Sequence, residues 1–112
     1  MALMGMIKNV SGSGNLNDFE LSQVSTTAQN GTQTVSLTFT KIPSQCLLFV
    51  LNPSGNELSI SSSDVTITTI DTDDKTYIKA KLSGITNTTV SFSVTHNRAG
   101  VNQAANLVAI YY

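Results

Sequence analysis

Two stretches stand out from a chain otherwise crowded with Ser, Thr and Asn: Cys46 to Leu51 and Leu107 to Tyr112, each apolar at six consecutive positions. Each is too short for a useful helix, and the first is closed by the turn residues Asn52, Pro53, Ser54, Gly55 and Asn56, so both predict strands apolar on their two faces. Between and around them the apolar positions recur with period two. Phe19, Leu21 and Gln23 share one face, as do Val35, Leu37 and Phe39, and later Val90, Phe92 and Val94. Thr76, Ile78, Ala80 and Leu82 alternate with Lys75, Tyr77, Lys79 and Lys81, which predicts an inner and an outer row on a single strand. Leu58 and Ile60, then Val65, Ile67 and Ile70, form two short segments divided by Ser61, Ser62 and Ser63. Asn30–Gly31 tolerates positive φ at both residues and predicts a hairpin over about 19–41. Pro43 stops the strand after it. The pattern is that of an all-β chain of about eight strands, a single β-sandwich or jelly-roll-like domain.

A strand in a two-layer protein needs one apolar face. The second apolar face of Cys46 to Leu51 and of Leu107 to Tyr112 therefore requires a cover, either an arm of the chain or another molecule. Residues 1–10 carry an apolar patch that includes Leu3, Met4, Met6 and Ile7, joined to the body by Ser11, Gly12, Ser13 and Gly14. This predicts an N-terminal arm and flexible joint over 1–14 and a sandwich over 15–112, with the arm packed along its own domain or a neighbouring subunit. The arm lacks the leading positive charge and cleavage signature of a secretory signal, and no stretch approaches the roughly 20 apolar residues of a membrane span.

Charge and candidate chemistry narrow the function classes. Charged residues make up 12% of the chain and the net charge is −1, which argues against nucleic acid as the main partner, because phosphate neutralisation needs clustered cations. The single cysteine, Cys46, lies within an apolar run and reads as a small core residue. His96, the one histidine, ends a strand and reads as a polar residue at a loop edge. Asp71, Asp73 and Asp74 begin like a calcium loop, but Thr76 stands at its glycine position and Leu82 at its closing glutamate, leaving a charged turn. Lys75, Lys79 and Lys81 read as protection of a sheet edge, with an acidic protein as the alternative partner. Phe19, Phe39, Phe49 and Phe92 occupy expected core positions, so Tyr77, Tyr111 and Tyr112 are the aromatics left for contacts. Neither a catalytic constellation nor a cofactor or metal site is expected.

The whole format, an apolar arm (Met1 to Val10), a Ser-Gly joint (Ser11 to Gly14), a Thr/Ser/Asn-rich jelly-roll body and a strand that ends the chain (Leu107 to Tyr112), resembles the small cementing, decoration or staple proteins of tailed-phage capsids. The resemblance implies a non-enzymatic virion protein, made in the host cytoplasm and located on the capsid surface. There it would clamp coat protein or other virion subunits, as a homodimer or higher homo-oligomer. Leu3, Met4, Met6, Ile7, Tyr77, Lys79, Lys81, Tyr111 and Tyr112 are the contact residues this reading selects. A small β-sandwich tail module, or a receptor- or carbohydrate-binding module, is the alternative.

Overall fold

Eight strands are present in the computed structural model, which describes residues 18–28, 31–52, 57–73, 76–96 and 103–112. They are β1 (Glu20–Ala28), β2 (Gly31–Thr38), β3 (Cys46–Leu51), β4 (Leu58–Ser61), β5 (Thr66–Thr72), β6 (Tyr77–Ser83), β7 (Thr89–His96) and β8 (Gln103–Tyr111). Five of them form one sheet in the order β1-β8-β3-β6-β5, and three form the second in the order β2-β7-β4. Every pairing is antiparallel. The chain passes from one sheet to the other at every connection except β5 to β6, which gives the jelly-roll-like wrap. The arm residues, including Leu3, Met4, Met6 and Ile7, lie outside the described residues, as do Asn30, Lys75 and the tip of the turn after β3.

The two inner faces interdigitate as period two requires. Cys46, Leu48 and Val50 of β3, Ile78, Ala80 and Leu82 of β6, and Ala105, Leu107, Ala109 and Tyr111 of β8 meet Leu37 and Phe39 at the end of β2, Leu58 of β4, and Val90, Phe92 and Val94 of β7. The ring of Phe39 packs edge-on against Tyr111 at 4.7 Å between centroids. The Tyr111 hydroxyl, carried into the core, accepts from the backbone N–H of Thr40 at 3.1 Å, as a buried phenol requires. Where β4 stops at Ser61, side chains take over the ladder. Ser62 Oγ donates to the carbonyl of Ser91 at 2.6 Å, and the Ser91 N–H donates to Asp64 Oδ2 at 2.8 Å. Gly84, at φ +74°, turns the chain after β6 in the left-handed region that glycine enters without strain.

Several expectations need correction. The segments flanking Asn30–Gly31 are strands but not a hairpin, since β1 pairs with β8 and β2 with β7. A turn dipeptide fixes a reversal of the chain, while the apolar β8 offers β1 a longer partner over nine paired residues. The parity of β1 is also opposite to the reading from Phe19 and Leu21. Ser22, Val24 and Thr26 point to the less exposed side, and Leu21 is 59% exposed on the outer face. Phe49 is half-buried on the outer face of β3, not in the core. Phe19 sits before β1, edge-on to Tyr112 with centroids 5.0 Å apart. His96 continues the inward row of Val90, Phe92 and Val94 and is completely buried rather than at a loop edge. β6 lies between β3 and β5, so its lysines do not guard an edge.

Candidate functional site

The two outer faces differ sharply in chemistry. On the three-stranded sheet the outward row of β2 is Thr32, Thr34, Ser36 and Thr38, and that of β7 is Thr89, Ser91, Ser93 and Thr95. These hydroxyls satisfy one another in part, with Thr32 and Thr95 at 2.9 Å and Ser36 and Ser91 at 3.1 Å. Such a face is well hydrated and gains little by being covered.

The outer face of the five-stranded sheet carries the apolar surface. Register places Leu21, Ile110, Leu47, Lys81 and Thr68 side by side across all five strands. The next row is Gln23, Val108, Phe49, Lys79 and Asp71, and the third runs Ser25, Asn106, Leu51 and Tyr77. The doubly apolar strands β3 and β8 are thus neighbours in the middle of the sheet, and their second faces merge into one patch. Leu47 is 5% exposed within it, Leu51 is 44% exposed, and Val108, Ile110 and Phe49 are half-buried. A contiguous apolar patch next to a cationic row marks a contact surface better than single exposed residues do.

Of the residues selected from sequence, Tyr77, Lys79, Lys81 and Tyr112 lie on or beside this face. Tyr111 does not; at 1% exposure it is a core residue, because adjacent residues of a strand point to opposite sides. Sequence reasoning did not select Leu21, Phe49, Leu51, Val108 and Ile110, which lie on this face. The signal was available for the last four, since the doubly apolar runs contain them, but not the knowledge that β3 and β8 are adjacent.

The acidic end of the face is held by internal hydrogen bonds. Tyr77 donates its hydroxyl to Asp71 Oδ2 at 2.7 Å, and that bond, more than desolvation or the charges of Asp71 and Asp73, raises its pKa. Asp73 Oδ1 accepts the backbone N–H of Thr76 at 2.6 Å and of Tyr77 at 3.1 Å, and Oδ2 accepts the Thr76 hydroxyl. Because these carboxylates are occupied as turn caps, a chelator should leave the melting temperature unchanged. A drop of more than about 5 °C, roughly 1 kcal/mol at this size, would reveal a bound cation.

The one thiol and the one imidazole of the chain are both buried. Burial pushes the Cys46 thiol up to about 12, so it stays protonated and unreactive. Among the described residues neither ring nitrogen of the buried His96 has a hydrogen-bond partner, and no group of three or more His, Cys, Asp or Glu side chains is placed to hold a metal ion.

Residues 32–91 match the family model described as the 3′ exoribonuclease family, domain 2. That stretch, just over half of the chain, runs from β2 into β7 and leaves out β1 and β8. No curated protein matches the chain. Among solved structures it is similar to the tripod from the baseplate of bacteriophage Tuc2009, with 17% identity and a TM-score of 0.46 over 80% of this chain. It spans 63% of the length of that chain.

Proposed function

The chain belongs to the 3′ exoribonuclease family, domain 2, through residues 32–91, and we propose that here the sandwich serves a bacteriophage particle as a non-enzymatic structural protein. It binds coat protein or another virion subunit through the outer face of the five-stranded sheet. The observation that carries this reading is the continuous apolar patch of Leu21, Ile110, Leu47, Val108, Phe49 and Leu51 across three adjacent strands. The particle as the setting comes from the resemblance of the chain's format to the small cementing proteins.

Magnitudes fix what such a contact can do. Five strands about 4.8 Å apart and about 20 Å long present on the order of 500 Å² of flat face, so the two partners together bury about 1,000 Å². That is the low end for a specific interface. One copy therefore binds weakly, and firm attachment requires several contacts on one particle. Because the patch is apolar at its centre, binding depends weakly on salt.

Co-sedimentation with undecorated particles tests this. The variant Phe49→Asp/Leu51→Asp changes side chains that are outside the core, and it should weaken binding at least about tenfold while the protein stays folded. Unchanged binding would remove this face from the interaction. A steep loss of wild-type binding with salt would assign it to Lys79 and Lys81 instead.

The family match favours a second reading, action on RNA. Incubation with RNA labelled at its 5′ end decides it, since processive shortening from the 3′ end by the wild-type chain would establish the nuclease and displace the non-enzymatic reading.

A further inference from the structure

Three connections meet at one end of the sandwich: residues 39–45 between β2 and β3, 62–65 between β4 and β5, and 84–88 between β6 and β7. Register puts them together, because Thr38 pairs with Thr89, Cys46 with Leu82 and Thr66 with Ser83. Two recesses open among them. The first, of about 300 Å³, takes in Ser63, Asp64, Val65, Thr86, Asn87 and Thr89. The second, of about 310 Å³, adjoins it through Thr86 and takes in Ser44, Gln45, Lys81, Ser83 and Ile85. Each lies at the low end of the range of about 300–1,000 Å³ for small-molecule sites, which suits one small ring apiece.

The walls are held in place by the protein's own hydrogen bonds. The Asp64 N–H donates to Ser62 Oγ at 3.1 Å, and Asp64 Oδ2 accepts the Ser91 N–H at 2.8 Å, which ties the carboxylate to β7. The N–H groups of Ser44 and Gln45 donate to the Tyr112 carbonyl at 2.8 and 3.1 Å, and that of Phe39 donates to the Thr88 carbonyl at 2.7 Å. A ligand that settles here therefore has little backbone to order. Polar capacity is left over as well. Among the described residues the side chains of Ser63, Thr86, Asn87 and Thr89 have no hydrogen-bond partner within the chain.

We infer that the two recesses form one binding site for a saccharide, with a sugar ring in each. The first recess combines a carboxylate, a primary amide and three hydroxyls with no cation among the described residues, so a phosphate or other anion has nothing there to neutralise it. A metal ion would find one carboxylate, one of whose oxygens already accepts a backbone N–H. An apolar ligand would leave the amide and hydroxyls desolvated and unpaired. A ring of neutral hydroxyls meets the whole set, since each hydroxyl both donates and accepts, Asp64 accepts, and Asn87 does both. Val65 and Ile85 supply apolar contact for ring C–H groups. Gln45, Ser83 and Lys81 repeat the polar pattern in the second recess, and the shared Thr86 makes the two continuous. No aromatic ring lines either recess among the described residues, and exposed hydrogen bonds replace bonds to water, so the dissociation constant is on the order of 1 mM.

This inference stands apart from the sheet-face reading, because Phe49 and Leu51 line neither recess and Phe49→Asp/Leu51→Asp should leave saccharide binding unchanged. The test is an NMR titration of the isotope-labelled full-length chain with maltose, lactose and N,N′-diacetylchitobiose, and with glycerol as the control. At least one of the disaccharides should give saturable shifts at the amides of residues 63–65 and 86–89 together with those of 44–46 and 83–85. Glycerol, too short to span both recesses, should not saturate them. Asn87→Ala removes an exposed amide and should weaken the binding at least about fivefold with the rest of the spectrum unchanged. Absence of saturable shifts at these amides with all three disaccharides would overturn the proposal. So would saturable shifts that Asn87→Ala leaves as they were.

Discussion

Replacing Leu48 by alanine should cost about 2–5 kcal/mol, a large share of the ~5–15 kcal/mol that holds a domain of this size together. Leu48 sits in the middle of β3, completely buried, with Ala80 of β6 on one side and Ala109 of β8 on the other. Small neighbours on both flanks mean that the leucine fills the space between the sheets and that nothing beside it can swell to close the hole. Three residues along the same strand, Leu51 is 44% exposed on the outer face, so Leu51→Ala should cost well under about 1 kcal/mol. Denaturant unfolding of both variants at fixed pH checks the pair. A Leu48→Ala loss no greater than that of Leu51→Ala would mean that β3 is not central to the core.

The second large effect is a loss of stability in mild acid, centred on His96. Its side chain is wholly buried at the end of β7, opposite Gly31 of β2 and Leu58 of β4, neither of which ionises. Desolvation lowers its pKa below the usual 6.5, because a buried imidazolium has lost its water and gains no partner among the described residues. The sign follows from proton uptake. Above about pH 6.5 both folded and unfolded chains hold a neutral histidine and stability is flat. As pH falls below that value the unfolded chain takes up a proton that the folded chain refuses, so stability declines by at most about 1.4 kcal/mol per pH unit until the folded pKa is reached. His96 is the one histidine of the chain, so between about pH 6.5 and 5 the slope belongs to it before the carboxylates begin to titrate. His96→Leu should flatten the profile in that window. An equally steep profile in the variant would place the titrating group elsewhere.

Both effects were partly legible in the amino-acid sequence. The run Cys46 to Leu51 announced a strand that had to be central, and β3 does lie third of five in its sheet. His96 falls two residues after Val94 in a row already reading Val90, Phe92, Val94, so period two alone puts it inside; the polarity of its ring hid this. The same local rule separated Tyr77, Lys79 and Lys81 from Ile78, Ala80 and Leu82 correctly.

What the sequence determined by itself was the strand content, the approximate strand boundaries and, for most strands, which residues share a face, because these depend on side-chain alternation within a few residues. Only the tertiary structure decided which strands are neighbours, since strand pairing is a contest among all segments of the chain. That contest sent β1 to β8 instead of across the Asn30–Gly31 turn to β2. It also set β3 beside β8, so that two separate runs, 61 positions apart at Cys46 and Leu107, became one apolar outer face. It placed β6 in the interior of its sheet and, among the described residues, put β4 and β5 at the sheet edges beside a groove. The parity of β1 was settled in the same way. Leu21 and Phe19 are more apolar than Ser22 and Thr26, yet the nine-residue register with β8 sets Ser22 against Ala109 and Val24 against Leu107, and the summed pairing of that strand outweighs the preference of two side chains.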